Sequence, residues 1–161
     1  MQNKIRLILV CLLVVFTSCD SNQVFDQYQS VPKQWNKGEI IEFSFQAPDS
    51  INPYNLYVNL RNNNDYKYSN LFLIVGIDFP NNYQIIDTLE YEMTTPEGRF
   101  LGTGISDVLE NKLEYKTNVN FPVSGNYTIH VQHAMRKSQE IEGLTYLNGV
   151  TDVGIKIEKI E

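Results

Sequence analysis

The sequence predicts an all-β protein, a β-sandwich of about seven to eight antiparallel strands with little helix. Apolar and polar residues alternate in many short segments, which is typical of strands that turn one face to a core. Turn-forming residues separate these segments, and no stretch of about 12 residues carries a helical stripe. Short antiparallel strands of this kind build either an immunoglobulin-like sandwich or a jelly roll, and both remain open.

Six segments have strand patterns. The run at 71–77, LFLIVGI, is apolar on both faces, so it is predicted to be a central, well-covered strand. Residues 79–83 predict a turn that joins it to the next strand as a hairpin. A single helical turn is predicted at 107–111, capped by Ser106 or Asp107. The other five strand segments are 41–45, 56–61, 85–91, 127–132 and 153–160.

The start of the chain has the pattern of an export signal. Two cations and no acid precede an unbroken apolar run at 7–16, and two small residues follow it. The run is shorter than the roughly 20 apolar residues that cross a bilayer. Residues 1–18 are thus predicted to be a signal peptide.

Cys19 follows this segment directly. The order Phe16-Thr17-Ser18-Cys19 resembles the lipobox of bacterial lipoproteins, where the cysteine is acylated and the chain is cut before it. We expect Cys19 to carry diacylglycerol and an N-acyl chain such as palmitate, with no other cofactor. Two or more acyl chains anchor a protein stably. Cys11 lies in the segment to be removed, so no disulfide is expected in the mature chain.

The remaining chain divides into a tether and one domain. Residues 19–37 are polar with scattered apolar side chains, and they are expected to form a lipid-anchored tether with a possible edge strand. Residues 38–161 are expected to form the β-sandwich domain. The net charge of −6 and the lack of a basic patch argue against nucleic acid as a partner.

The two histidines do not predict a metal site. His130 and His133 are three apart on a predicted strand, so they are expected on opposite faces. Asp87 is expected on an apolar face, where either Arg99 or Arg136 pairs with it, or a bulge turns it outward.

Two further polar patterns have alternative interpretations. Glu90 and Glu92 share one face, as the carboxylates of glycosidases do, or they form a solvated edge. Asn and Asp at 62–65 precede Tyr66 and Tyr68, which fits a sugar-binding loop or a simple turn. No nucleophile elbow or phosphate loop is present. We predict no catalytic residues, no metal and no small-molecule substrate, so the protein is not expected to be an enzyme.

Two long segments are candidates for an interaction surface. Long loops on a rigid sandwich commonly carry binding, and aromatic and arginine side chains are favoured interface anchors. The segment 94–107 contains Arg99 and Phe100, and the segment 133–149 contains Met135 and Arg136. Alternatively, Phe100 only folds its own loop onto the sandwich.

The chain contains, in this order, the strings NNNDYKYSNLFLIV at 62–75, DTLEYEM at 87–93, LGTGISD at 101–107, FPVSGNY at 121–127, HAMR at 133–136 and GVTDVGIKIEK at 149–159. Taken together, from the lipobox to the C-terminus, they resemble the gliding-motility lipoprotein family GldH of Bacteroidota. The resemblance implies an outer-membrane lipoprotein without catalytic residues that supports gliding and the associated type IX secretion machinery through contacts with other envelope proteins. In that phylum an acid-rich run just after the lipidated cysteine marks export to the cell surface. Only Asp20 and Asp26 are acidic in this part of the chain, which favours the periplasmic face. A periplasmic or surface glycan-binding module is the alternative.

Overall fold

A computed structural model describes residues 22–137 and 142–160, in which ten strands and no helix are found. The predicted signal peptide, Cys19 and the first residues of the tether lie outside the described residues. The strands are β1 Gln23–Ser30, β2 Gln34–Asn36, β3 Ile41–Gln46, β4 Tyr54–Asn62, β5 Asn70–Asp78, β6 Gln84–Glu92, β7 Leu109–Val119, β8 Asn126–His133, β9 Tyr146–Asn148 and β10 Val150–Lys159.

The strands form a sandwich of two antiparallel four-stranded sheets. The first sheet has the order β1-β10-β4-β7 and the second the order β3-β8-β5-β6, while β2 and β9 form a small two-stranded sheet. The predicted fold class is confirmed. The strand number exceeds the prediction partly because β2 and β9 have only three residues each, too few to show a periodic pattern.

The core lies between the two sheets. In β3 the buried side chains Ile41, Phe43 and Phe45 alternate with exposed ones, as the sequence pattern requires. At one end of the core, the rings of Phe45, Phe121 and Tyr127 lie 5.1–5.8 Å apart, centroid to centroid. Aromatic pairs at this spacing add to the stability that burial itself provides.

Strand β5 is central, as predicted, and lies between β8 and β6. Its inner side chains Leu71, Leu73 and Val75 are fully buried, but Phe72 and Ile74 on the other face are only half-buried. The expectation that both faces are well covered is therefore wrong. The predicted turn after β5 is confirmed, because the Phe79 N–H donates to the Tyr83 carbonyl at 2.8 Å.

The predicted helical turn at 107–111 is wrong. Leu109 begins β7, and Glu110 exchanges two backbone hydrogen bonds with Thr103 at 2.8 and 2.9 Å. This strand escapes the hydrophobic pattern because its buried face starts with Asn111. The Asn111 amide is buried and donates to the Leu60 carbonyl at 3.1 Å and to the Asn62 side chain at 2.8 Å.

The sandwich has two ends with different loops. We call one the N-terminal end; it carries the start of β1, the loops 47–53, 79–83 and 120–125, and the end of β10. The opposite end, called the loop end, carries the longer connections. They are 31–40, 63–69, 93–108 and 134–149, the last of which contains β9. Within the segment expected to be a tether, residues 23–30 form β1, which is an edge strand of the first sheet.

Candidate contact surface

The connection between β6 and β7 folds into two small hairpins at the loop end. In the first, the Thr95 N–H donates to the Arg99 carbonyl at 2.7 Å, and Gly98 adopts a positive φ of 83°. The second hairpin is closed by the paired backbone hydrogen bonds of Thr103 and Glu110. The segment is therefore an ordered structure and not an irregular loop.

The second hairpin depends on Gly104. A Cβ at this position would lie 2.2 Å from the Val108 carbonyl oxygen, so any side chain would force the two strands of the hairpin apart. A Cβ on Gly102 would lie 2.7 Å from the Asn111 side-chain oxygen. These close approaches explain why glycine occupies positions 102 and 104. The two glycines are required by packing and do not belong to a phosphate-binding loop.

Three apolar side chains project from this hairpin, and we name them the tip patch. Ile105 is fully exposed, while Leu101 is 49% and Val108 38% exposed. Single exposed apolar residues are ordinary, but three within eight residues of one connection make this hairpin a candidate interaction site. Because these side chains lie largely outside the core, the fold does not account for their apolar character.

Arg99 and Phe100 differ in their surroundings. Arg99 is exposed, whereas Phe100 is half-buried and its ring centroid lies 6.5 Å from that of Tyr66. This contact supports the alternative that Phe100 attaches its own loop to the sandwich.

Met135 and Arg136 also separate. Met135 is 1% exposed, and its sulfur accepts a hydrogen bond from the Phe72 N–H at 3.1 Å. The expectation that Met135 lies on the interaction surface is wrong, because its thioether packs in the core beside β5. Arg136 is exposed and pairs through its backbone with Gly143. Residues 138–141 of this predicted segment lie outside the described residues.

The tip patch was not among the predicted site residues. A signal for it exists in the sequence, since Ile105 stands between Gly104 and the turn-forming Ser106 and Asp107. An apolar residue surrounded by turn formers has no strand partner that would bury it. The residues predicted from the sequence in this segment were Arg99 and Phe100.

The histidines lie on opposite faces of β8, as predicted. His133 is buried and its Nε2 lies 3.1 Å from the Trp35 carbonyl oxygen. His130 lies on the outer face, with Nε2 2.5 Å from the Asp78 carboxylate and Nδ1 3.3 Å from that of Glu42. Within residues 22–137 and 142–160, no cluster of three or more His, Cys, Asp or Glu side chains is placed to hold a metal ion.

Asp87 points toward the facing sheet, as its register predicts, and no bulge turns it outward. Both expected arginine partners are wrong. The carboxylate pairs with Lys116 at 2.8 Å and accepts a hydrogen bond from the Tyr115 hydroxyl at 3.0 Å. The Lys116 ammonium lowers the pKa of Asp87, and the Tyr115 hydrogen bond adds to this against the opposing effect of burial.

The Asn-rich segment before β5 is a turn. The Asn63 side chain accepts a hydrogen bond from the Asp65 N–H at 2.9 Å, an Asx turn. Tyr66 is buried and its hydroxyl donates to the Asn70 carbonyl at 2.7 Å, while Tyr68 is half-buried. The buried Tyr66 ring is therefore not free to stack on a sugar. Glu90 and Glu92 are exposed, and Glu90 accepts a hydrogen bond from Asn70 at 2.9 Å, which fits the solvated edge.

The described surface includes two concave regions away from the tip patch that could hold a ligand. An open cleft of about 780 Å³ at the loop end is lined mainly by polar side chains, among them Lys33, Lys67 and Asn148. A groove of about 300 Å³ crosses the outer face of the second sheet, beside Ile86 and His130.

In the described part of the chain, no helix has the length and apolarity needed to cross a membrane.

Comparison with known proteins gives a family match over most of the chain. Residues 23–157 match the family described as GldH lipoprotein. A Christiangramia forsetii protein, "Gliding motility lipoprotein GldH homolog", is 49% identical over 152 residues, covering 94% of this chain and 93% of that protein. "Gliding motility lipoprotein GldH" of Flavobacterium johnsoniae is 45% identical over 152 residues, covering 94% of each. Among solved structures, the infectious bursal disease virus VP2 particle is 15% identical with a TM-score of 0.38, covering 89% of this chain and 34% of that one.

Proposed function

The chain belongs to the GldH lipoprotein family, and on that premise we propose that it is an outer-membrane lipoprotein that supports gliding motility. In this proposal it acts without catalysis, by contacting other envelope proteins of the gliding and type IX secretion machinery. The resemblance of the relatives covers nearly the full chain, which makes a shared cellular role the simplest inference.

Cys19 is the proposed site of lipid attachment. Membership of a lipoprotein family implies a lipid anchor, and Cys19 stands at the end of the only segment with the pattern of an export signal. Two or more acyl chains hold a protein on a membrane without a spanning segment. We place the domain on the periplasmic side, because few acidic residues follow Cys19.

The observation that carries the proposed contact function is the tip patch. Burying one Ile, Leu or Val side chain against a partner contributes about 1.5–3 kcal/mol. The Gly104–Val108 approach fixes the hairpin, so little conformational freedom is lost when it binds. Exposed Arg99 and Arg136 on the same end supply charged groups for the rim of such an interface.

A glycan-binding module has weaker support. The polar cleft near Lys33 and Lys67 offers hydrogen-bonding groups. Sugar-binding sites commonly use an aromatic ring as a platform, and Tyr66 is buried while Tyr68 is half-buried. We therefore favour a protein partner.

The function is tested by complementation in a Flavobacterium johnsoniae strain that lacks its own GldH lipoprotein. The full-length chain should restore colony spreading and protein secretion. The double variant Leu101→Ser with Ile105→Ser should be made and anchored normally but should lose spreading and co-purification of partners. The matched control is Ile86→Ser, which removes an equally apolar, 62% exposed side chain from the face of the second sheet.

The outcomes separate the parts of the proposal. Failure of the parent chain to restore spreading or secretion would contradict the role in motility. If the double variant restores both and recovers every partner, the tip patch is not the contact site. Cys19→Ala should lose the lipid label and leave the membrane fraction; equal labelling of the variant and the parent would contradict the anchor.

A further inference from the structure

Exposed apolar side chains also project from the N-terminal end of the sandwich. Ile51, in the loop between β3 and β4, is 84% exposed, and Tyr83, in the turn between β5 and β6, is 59% exposed. The three loops of this end, 47–53, 79–83 and 120–125, contain a single acidic residue, Asp49, and no Lys or Arg. These three loops are therefore nearly uncharged and present one aliphatic and one aromatic side chain, while the charged residues Asp78 and Lys159 stand at the strand ends behind them.

Asp49 is occupied within its own loop. Its carboxylate accepts hydrogen bonds from the Ile51 N–H at 2.8 Å, from the Asn52 N–H at 2.7 Å and from the Tyr54 hydroxyl at 2.5 Å. The Asn120 amide ties the same loop to its neighbour by donating to the Asn52 carbonyl at 3.1 Å. The loop is thus fixed by internal contacts, yet it leaves the Ile51 side chain outside.

The loop end has the opposite character. Its connections carry exposed charged side chains of both signs, among them Lys33, Lys67, Glu97, Arg99 and Arg136. A lipid–water interface accepts Tyr and aliphatic side chains, whereas placing charged side chains in the bilayer is costly. The loops of the N-terminal end therefore suit a lipid surface better than those of the loop end, where charged side chains surround the tip patch.

The chain itself holds the N-terminal end close to the anchor. Asn22 belongs to this end, because its carbonyl accepts a hydrogen bond from the Lys159 N–H at 2.8 Å. Ile160 N–H donates to the Pro53 carbonyl at 3.0 Å, so the Ile51 loop is adjacent. Three Cα–Cα steps separate Cys19 from Asn22, which allows a span of at most about 11 Å.

We propose that the N-terminal end docks on the lipid headgroups of the membrane that carries the anchor, with Ile51 and Tyr83 inserted in the interface. The sandwich then stands on end, and this orientation rests on the lipid attachment at Cys19 in the proposed function. Strand β4 has nine residues, which corresponds to a length of about 30 Å. The tip patch is consequently held roughly that far above the membrane, where it meets a partner.

The orientation is tested by spin labelling of the full-length lipidated chain. Ile51→Cys, Tyr83→Cys and Ile105→Cys are made one at a time; each gives the mature protein its only free thiol, since the sulfur of Cys19 is acylated. Each variant carries a nitroxide label in vesicles of phosphatidylethanolamine and phosphatidylglycerol. Collision rates with oxygen, which partitions into lipid, and with a nickel chelate, which stays in water, are then compared.

The label at 51 and at 83 should favour oxygen over the nickel chelate several-fold more than the label at 105, which serves as the matched control from the loop end. If position 51 gives a misfolded protein, Asn81→Cys in the neighbouring turn replaces it. Equal, water-like collision ratios at both ends would overturn the proposal.

Mass spectrometry of Cys19 on the same sample distinguishes the two proposals. A lipidated Cys19 with a water-exposed label at 51 means that docking is wrong while the anchor stands. An unmodified Cys19 means that the anchor fails, and the docking proposal fails with it.

Discussion

The Lys116 ammonium lies 2.8 Å from the Asp87 carboxylate and joins β7 of the first sheet to β6 of the second. Both are edge strands, so the pair closes one side of the sandwich. The Tyr115 hydroxyl donates to the same carboxylate, and the Tyr91 hydroxyl donates across the same gap to the Glu114 carbonyl at 2.8 Å. Polar side chains thus connect the two sheets where the apolar core ends.

We expect this ion pair to be measurable in a double-mutant cycle of Asp87→Asn and Lys116→Met. The two side chains are 33% and 25% exposed, so solvent screens their attraction, and the coupling energy should be about 0.5–1 kcal/mol. Urea unfolding of the four proteins gives this number. Coupling should also fall as the pH drops through the lowered pKa of Asp87, because the carboxylate is then protonated. Additive single effects at neutral pH would contradict the pairing.

His133 should make stability depend on pH. Burial lowers the pKa of this imidazole, outweighing the hydrogen bond to the Trp35 carbonyl, and its buried Nδ1 has no hydrogen-bond partner in the structure. The imidazole is therefore protonated near pH 6.5 in the unfolded chain but only at lower pH in the folded protein. Stability is complete above that pH and declines as the pH falls toward the folded pKa.

The measurement compares urea midpoints at about pH 7.5 and about pH 5.5. His133→Gln keeps a donor for the Trp35 carbonyl but cannot be protonated, so it should lose less stability on acidification than the parent. Equal losses in the two proteins would show that His133 does not titrate in this range.

Gly149 and Gly98 form a matched pair for testing backbone approach. Both have positive φ, 84° and 83°, but a Cβ on Gly149 would lie 2.0 Å from the Tyr66 nitrogen, whereas a Cβ on Gly98 would have no atom within 4 Å in the described part of the chain beyond its two adjacent residues. Gly98→Ala should cost about 1 kcal/mol, from the left-handed backbone alone. Gly149→Ala should cost at least about 2 kcal/mol more, because backbone atoms must move. Similar thermal midpoints for the two variants would refute this reasoning.

Leu73→Ala should destabilise the fold by about 2–5 kcal/mol. Leu73 is fully buried on the inner face of β5, the strand between β8 and β6, and truncating its side chain leaves a cavity. Ile86→Ala, on the exposed face of the neighbouring strand β6, should change stability by less than about 0.5 kcal/mol. Denaturant midpoints of both variants check the difference. An unchanged midpoint for Leu73→Ala would mean that β5 does not lie at the centre of the core.

The strands of the second sheet follow from the sequence because apolar residues dominate their inner faces, and the exceptions, Asp87 in β6 and His133 in β8, leave the alternating pattern visible. Strand β7 does not, since Asn111 opens its buried row and its hydrogen bonds to Leu60 and Asn62 are long-range contacts. Missing β7 also concealed the partner of Asp87, because Lys116 lies on that strand. A local pattern cannot reveal a partner that the fold supplies from another sheet.

The candidate surface shows the same limit. Met135 follows a strand and precedes an arginine, so its sequence context resembles a loop, but its thioether fills a gap beside Phe72. The tip patch depends on how closely Gly104 approaches Val108, which is a property of the folded hairpin. Cys19 remains a prediction from sequence, since it lies outside the described residues.

The hydrogen bonds to carbonyls on the edge strands affect how an anchored domain meets other copies on the membrane surface. An anchored protein diffuses in two dimensions, where copies collide often and open sheet edges tend to pair. The Gln29 amide donates to the Glu42 carbonyl on edge strand β3 at 2.5 Å, and the Tyr91 hydroxyl occupies the Glu114 carbonyl on edge strand β7. These internal contacts engage one carbonyl on each of two edge strands, so those two carbonyls are unavailable for pairing with a strand of a neighbouring copy.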